Sequence, residues 1–375
     1  MIYAFVFGKN WKLSLAEILS YFEYREIKWS FVDLSKKAIV VDTEISPQDT
    51  ISDLGGTLKI VKIEKQFPFA ELFSQDFGDW TERPISVYGS YKLLHNIRKV
   101  FNIVPKDKVL SHTEIISKGL KESALIFGLK TCYWGKTVAV SNPFGFKKRD
   151  IQKPAQRTRL AISPSRARIL LNLSQAKENV LDPFCGVGTI AVEAIFHGIK
   201  RVYISDYDKE VLKDAEKNVR WAKKVAGSNA KVIIKHCDAR KISECFSKVE
   251  AVATEPDLGV SLKRRPSKAD ARQIILYLKP LYKKFMNSLR DCLELGGRVA
   301  ITLPCINSKS GKVYAGKFFL GYELVDPFES IAQRYREFLK LDGKTVLDEE
   351  REKGVKRNVI REFCVYRLRE KATKK

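Results

Sequence analysis

The segment Val180-Leu181-Asp182-Pro183-Phe184-Cys185-Gly186-Val187-Gly188-Thr189 constrains the fold of this 375-residue chain more than any other. Two apolar residues of strand character, Val180 and Leu181, run into an acidic residue, then a glycine-containing loop, then an apolar helix from Ile190 to His197. A strand that turns through glycine into a helix belongs to an α/β architecture. Its backbone approaches a ligand closely and takes dihedrals that side chains disfavour. The residues that follow keep the alternation. Residues 201–205 read as a strand, and Asp208 caps a helix with Val211, Leu212, Ala215, Val219 and Ala222 on one face and Gly227 at its end. Residues 231–235 and 249–254 read as further strands. A long helix with Ile274, Ile275, Leu278, Leu281, Tyr282, Phe285 and Leu289 is expected to stop at Gly296-Gly297, before a strand at 298–303. Residues 322–325 and 361–366 complete the sheet. Such alternation predicts a doubly wound parallel sheet, whose ligands bind at the carboxyl ends of the strands. Asp182, Asp206, Asp238 and Glu255 each fall at or just past a strand end and are expected to converge on one crevice.

The loop itself allows more than one cofactor. Gly186-Val187-Gly188-Thr189-Ile190-Ala191 fits the dinucleotide fingerprint G-x-G-x-x-A. Asp182, four residues before the first glycine, discriminates. A carboxylate has no use beside an anionic pyrophosphate, whereas the cationic methionine end of S-adenosylmethionine has a use for one. Asp206, twenty residues past Gly186, stands where a carboxylate accepts from ribose hydroxyls, and either cofactor suits it. The competing role for Asp182 is to cap the following turn. Tyr207 or Ile204 is placed either to pack on an adenine or to fill the core.

Asp182-Pro183-Phe184-Cys185-Gly186-Val187-Gly188-Thr189 closely resembles the first motif of methyltransferases that act on exocyclic amines of nucleobases. Arg149-Asp150-Ile151-Gln152-Lys153-Pro154, then Ser163-Pro164-Ser165-Arg166-Ala167-Arg168-Ile169-Leu170-Leu171-Asn172-Leu173, resembles the lead-in of the THUMP-containing tRNA guanine-N2 methyltransferases. The N-terminal Tyr3-Ala4-Phe5-Val6-Phe7-Gly8 and Leu13-Ser14-Leu15-Ala16-Glu17 are similar to the same family. The resemblance is strong over residues 149–240, and residues 60–145 match it by position and general pattern. It implies a ferredoxin-like α+β domain at 1–58, a THUMP-like RNA-binding domain at 59–145, a basic linker at 146–163 and a Rossmann-like S-adenosylmethionine methyltransferase domain at 164–370. The implied substrate is an exocyclic base amine of structured RNA, N2 of a guanosine in tRNA. The implied cofactor contacts are Asp182, Phe184, Gly186, Gly188, Asp206 and Asp238, the last toward the adenine amino group.

The family's acceptor motif is an acidic or amide residue, two prolines and an aromatic. Here it reads Thr254-Glu255-Pro256-Asp257-Leu258-Gly259, so Glu255, Pro256 and Asp257 are the implied catalytic residues, with Asp257 in the place of a proline and Leu258 in the place of the aromatic. The substitution bears on chemistry. An exocyclic amine is a poor nucleophile because its lone pair is delocalised into the ring. Acceptors on its N–H groups localise that pair. A stacked aromatic steadies the extruded base, worth roughly 1–3 kcal/mol. Loss of that aromatic keeps open a non-catalytic RNA-binding protein that retains the cofactor fold. A DNA amino-methyltransferase is the enzyme alternative, and a nicotinamide-dependent reductase is a more distant one.

Charge points to the partner. The chain carries 68 Lys+Arg against 44 Asp+Glu, a formal net charge of +24. Residues 1–100 hold 13 of each sign, residues 101–170 hold 14 basic against 4 acidic, and residues 263–290 hold 9 against 1. An excess this one-sided predicts a polyanion, here structured RNA. Lys147, Lys148, Arg149, Lys153, Arg157 and Arg159 of the linker are the expected phosphate contacts. No long basic amphipathic helix, lipidation motif or apolar run of membrane-spanning length is read from the sequence, so no membrane partner is expected. No secretory signal pattern is visible, and the seven scattered cysteines read as reduced core thiols of a cytoplasmic protein. They and His95, His112, His197 and His236 show no metal-ligand spacing. No activating subunit is named by the sequence. In the N-terminal part, 2–7 reads as a strand and Ser14-Leu15-Ala16-Glu17 as a capping box opening a helix. Further strands are expected near 28–32, 38–42, 57–63, 85–88 and 137–140, with helices at 91–101 and 108–119.

Overall fold

The computed structural model describes residues 1–72, 74–75, 85–89, 119, 122–156, 162–316, 319–341, 343–348 and 358–369. Arg157, Arg159, His95, His112 and almost all of the helices expected at 91–101 and 108–119 lie outside the described residues. The chain divides into two compact units, Met1–Lys147 with Ile331–Leu341, and Lys148–Ser330 with Asp342–Lys375.

The first unit is built on one seven-stranded sheet. Its strands are β1 (Ile2–Phe7), β2 (Trp29–Leu34), β3 (Ala38–Thr43), β4 (Thr57–Pro68), β5 (Ile85–Tyr88), β6 (Ser123–Phe127) and β7 (Thr131–Val140), in the order β2-β3-β1-β4-β7-β6-β5. The two N-terminal domains expected at 1–58 and 59–145 therefore share a sheet. The 12-residue β4 joins them, pairing with β1 through Thr57–Lys62 and with β7 through Lys59–Pro68. A buried ion pair ties the far half together. Lys59 donates to both oxygens of Glu122 at 2.7 and 2.8 Å, and the Thr137 hydroxyl donates to the same carboxylate at 2.7 Å.

The helix Trp11–Tyr24 starts one turn earlier than the capping-box reading. Asn10 is its N-cap, accepting from the Leu13 N–H at 3.2 Å. Ser14 and Glu17 instead hold the turn at Gly55-Gly56. The Glu17 carboxylate accepts from both glycine N–H groups at 2.7 and 2.8 Å, and Ser14 donates to the Gly56 carbonyl at 2.6 Å. A Cβ at Gly56 would lie 2.9 Å from the Ser14 hydroxyl, so the glycine is required there.

Residues 331–341 correct the expected boundary of the C-terminal domain, because they belong to the first unit. The Tyr335 hydroxyl of the helix Gln333–Leu339 donates to buried Asp33 at 2.9 Å, and its ring meets Phe31 edge-on at 4.8 Å. Tyr133 and the Leu34 and Leu129 N–H groups complete the coordination of Asp33.

The second unit holds β8 (Asn179–Asp182), β9 (Arg201–Asp206), β10 (Lys231–His236), β11 (Val249–Thr254), β12 (Leu293–Ser308), β13 (Gly311–Tyr314), β14 (Tyr322–Leu324), β15 (Val346–Asp348) and β16 (Val359–Leu368). Its sheet runs β10-β9-β8-β11-β12-β16-β14. The first five are parallel and β16 is antiparallel to β12 and β14. Chain order reverses between β8 and β11, which opens a crevice at their carboxyl ends. Leu181, Val252, Ile301, Tyr282 and Phe285 lie in its buried core. Asp208 and Gly227 bound the helix Lys209–Ala226 as read from the sequence. Gly296-Gly297 fall within β12, and the long helix ends earlier, at Leu289 with Arg290 as its C-cap. Among the described residues no helix is long and apolar enough to cross a membrane.

Candidate active site

The glycine turn after β8 has the geometry the sequence requires. Gly186 and Gly188 take φ of +50° and +79°, a left-handed conformation costly for side chains. A Cβ at Gly186 would project into open space, so the turn leaves room beside its backbone. The Gly188 amide closes the turn on the Cys185 carbonyl at 2.7 Å, and the Cys185 amide reaches β9 through the Ser205 carbonyl at 3.0 Å. The Cys185 thiol is buried, and desolvation together with the nearby Asp182 and Asp206 charges pushes its pKa well up, which favours the thiol over the thiolate.

The expected carboxylates stand at consecutive strand ends. Asp206, closing β9, accepts from the Gly186 amide at 3.0 Å and from the Asp208 amide at 3.1 Å, which fixes it against the turn. Asp182, closing β8, is 2 % exposed. Burial raises its pKa from 3.8 to about 7; bonds from Thr254 and the Phe184 amide pull it down, and the Asp206 and Glu255 charges push it up. The Thr254 hydroxyl donates to it at 2.6 Å, linking β8 to the end of β11 across the switch point. The Phe184 amide at 3.3 Å makes Asp182 a cap of the turn, the competing role weighed from the sequence. Asp238, two residues past β10, caps the turn Ala239–Lys241, and hydrogen bonds from Arg240 lower its pKa. Phe184 packs edge-on against Phe285 at 5.2 Å. Ile204 is fully buried in the core, whereas Tyr207 is 75 % exposed beside Asp206.

Cys237 and Cys245 form a disulfide that brackets the Asp238 turn, which corrects the reading of all cysteines as thiols. The short helix Ile242–Cys245 returns the chain to Cys237, a proximity that spacing alone conceals. The other five cysteines are buried thiols.

At the acceptor motif, Glu255 is held rather than open. Arg361 of β16 donates to it twice, Nε to Oε2 at 2.5 Å and Nη2 to Oε1 at 2.8 Å, and Thr302 of β12 donates at 3.1 Å. Both partners of the pair are nearly buried, at 7 and 10 % exposure. Pro256 is buried and Asp257 is exposed; the Asp257 carboxylate accepts from the Gly259 amide at 2.8 Å, and its carbonyl accepts from Tyr282 at 2.5 Å. Nothing in the sequence singled out Arg361, which arrives from a strand more than a hundred residues away.

The linker residues have mixed fates. Pro143–Gln152 is a helix, where a connector was expected. Arg149 makes a bidentate pair with fully buried Glu193 at 2.6 and 3.0 Å and stacks on Phe196, and Arg168 donates to the same carboxylate. Lys153 is 5 % exposed and donates to Thr189 at 3.3 Å. Lys147 and Lys148 are exposed. Arg149 and Lys153 thus hold the scaffold around the glycine turn.

Residues 148–308 match the family model UPF0020, the RMKL-like methyltransferase domain. This span contains the glycine turn, every strand-end carboxylate and the acceptor motif. A 163-residue stretch, 43 % of the chain, is 33 % identical to the tRNA (guanine(10)-N2)-dimethyltransferase of Pyrococcus abyssi, covering 44 % of that protein. The protein of the same name from Methanothermobacter thermautotrophicus is 31 % identical over 146 residues, 38 % of this chain and 39 % of that one. The tRNA (guanine(6)-N2)-methyltransferase of Thermus thermophilus is 31 % identical over 154 residues, 40 % of this chain and 41 % of that one. The chain thus spans less than half the length of the curated relatives it matches. The crystal structure of TrmN from Thermus thermophilus superposes with a TM-score of 0.52 at 17 % identity, covering 98 % of this chain and 100 % of that one, a likeness of fold.

Proposed function

We propose that the chain is an S-adenosylmethionine-dependent methyltransferase acting on an exocyclic base amine of structured RNA, N2 of a guanosine in cytoplasmic tRNA. The observation that carries this reading is the row of carboxylates Asp182, Asp206, Asp238 and Glu255 at the ends of β8, β9, β10 and β11, around a glycine turn with open space at Gly186. The donor set fits the cofactor. Asp206 supplies acceptors for ribose hydroxyls, and Asp238 one for an adenine amino group when its exposed Arg240 partner swings aside. Asp182 supplies a carboxylate for a cationic amino acid end, which lowers the cost of ionising it. The cofactor supplies an electrophilic methyl group. The chain's own residues bind and orient. Each oxygen of a carboxylate has two lone-pair sites, so Glu255 Oε1, bonded once by Arg361, retains capacity to accept from an amine. Asp257 offers a second acceptor on the same loop. Preorganised electrostatics at the reacting group is usually the largest single catalytic term. The names of the aligned relatives support the choice of tRNA guanosine, and the net charge of +24 supports an RNA partner. The test is transfer of isotopically labelled methyl from S-adenosylmethionine to an unmodified tRNA transcript, with nucleoside analysis. N2-methylguanosine is expected. A protein that binds tRNA and cofactor but transfers nothing would establish the binding-only alternative.

A further inference from the structure

We propose that the exposed face of the helix Lys268–Leu289, with the loop preceding it, is an RNA-backbone surface that seats the strand flanking the target nucleotide. The inference rests on the reading of this unit as an RNA amine methyltransferase and places the grip on RNA within the methyltransferase domain. Lys268, Arg272, Lys279 and Lys283 are all exposed and lie on one helical face, a row about 22 Å long at 1.5 Å per residue. Lys263, Arg264 and Arg265 extend it through the loop, also exposed. Among the described residues none of these seven forms an ion pair. Asp270, the single acidic residue of 263–290, is consumed in the capping box with Ser267. The surface is therefore strongly cationic, in contrast to Arg149 and Lys153, which are paired with Glu193 and Asp150.

Its position is tied to the acceptor loop. Tyr282 of this helix donates to the Asp257 carbonyl, and a Cβ at Gly259 would touch Ile274 and Leu278 at 3.2 Å. The loop is pinned by Asn358 donating to the Leu262 carbonyl and by the Lys309 amide donating to the Pro266 carbonyl, both at 2.9 Å. A rigid cationic row thus begins a few residues from Glu255 and Asp257. Extruding a base costs a few kcal/mol, and phosphate contacts on its flank offset that cost. The missing stacking aromatic at Leu258 makes the flanking contacts more important. A polyanionic backbone matches the length and sign of the row.

The test uses the full chain with Lys268→Gln, Arg272→Gln, Lys279→Gln and Lys283→Gln combined. A loop set, Lys263→Gln, Arg264→Gln and Arg265→Gln, reports the same surface should the helix set fail to fold. Affinity for an unmodified tRNA transcript is measured across salt, S-adenosylmethionine binding by calorimetry, and binding to phosphatidylserine vesicles. The salt slope is expected to flatten by about 3 for the helix set, at 0.7–0.9 per phosphate contact, with cofactor affinity unchanged. A wild-type chain that binds tRNA with the same slope as both variants overturns the surface and leaves the methyltransferase reading intact. Loss of vesicle binding with an unchanged tRNA slope assigns the row to membranes and overturns it equally. A wild-type chain that binds cofactor but no tRNA refutes the RNA reading itself.

Discussion

Replacing Asp182 by Asn should stabilise the second unit, increasingly so as pH rises. The side chain is buried at the end of β8 and its pKa lies near 7, against an ordinary value of 3.8. The unfolded chain releases this proton near 3.8 while the folded chain keeps it to about 7, so between these values the folded state binds more protons and stability falls as pH rises. At about 1.4 kcal/mol per pH unit, the cost grows by roughly 2 kcal/mol between pH 5.5 and pH 8.5, where it levels off. Both structural bonds go to one oxygen, from Thr254 and the Phe184 amide, and an Asn carbonyl can accept both. The variant therefore sheds the charge and keeps the turn. Hydrogen exchange of β8 and β11 amides on wild type and variant, compared at the two pH values, isolates this unit, and the difference cancels every other titrating group. A wild-type-minus-variant difference that does not move with pH would refute the argument, since it would show that the carboxylate is already ionised or solvated.

Other substitutions probe the remaining positions. Asp206→Ala should weaken S-adenosylmethionine binding by about 1.5–3 kcal/mol in calorimetry; NADH binding in its place would overturn the assignment of Asp182. Below pH 7, cofactor binding should release a proton from Asp182, read as a dependence of the binding enthalpy on buffer ionisation; equal enthalpies in all buffers would contradict a carboxylate facing a cationic group. Glu255→Gln should cut methyl transfer by about 10²-fold or more with little change in cofactor affinity, and unchanged turnover would move the role to Asp257. Arg361→Met should destabilise the second unit by about 3–5 kcal/mol, as expected when one partner of a buried pair is removed, and denaturant titration would show it; pairing it with Glu255→Met should recover most of the loss.

The parallel sheet was legible because each of β8 to β11 is an apolar run closed by a polar residue, and helix caps such as Asp208 and Gly227 are local signals. The carboxylates at the strand ends follow from the same periodicity. What stayed hidden depends on contacts between residues distant in sequence. Arg361 reaches Glu255 from β16, Glu193 collects Arg149 and Arg168, and Tyr335 returns to Asp33 from 302 residues further along the chain. Ser14 and Glu17 carry a capping-box spacing, yet tertiary contacts with Gly55-Gly56 took their hydrogen bonds. Counting basic residues likewise could not show that Arg149 meets the buried Glu193 while Lys147 and Lys148 stay exposed.

The most direct test of the account is mass spectrometry of nucleosides from total tRNA of cells with and without the gene. The account predicts that N2-methylated guanosine at one or more tRNA positions is lost without it and restored by wild type but not by Glu255→Gln. An unchanged set of methylated guanosines, or loss of a methyl group from adenine amines of DNA instead, would contradict it.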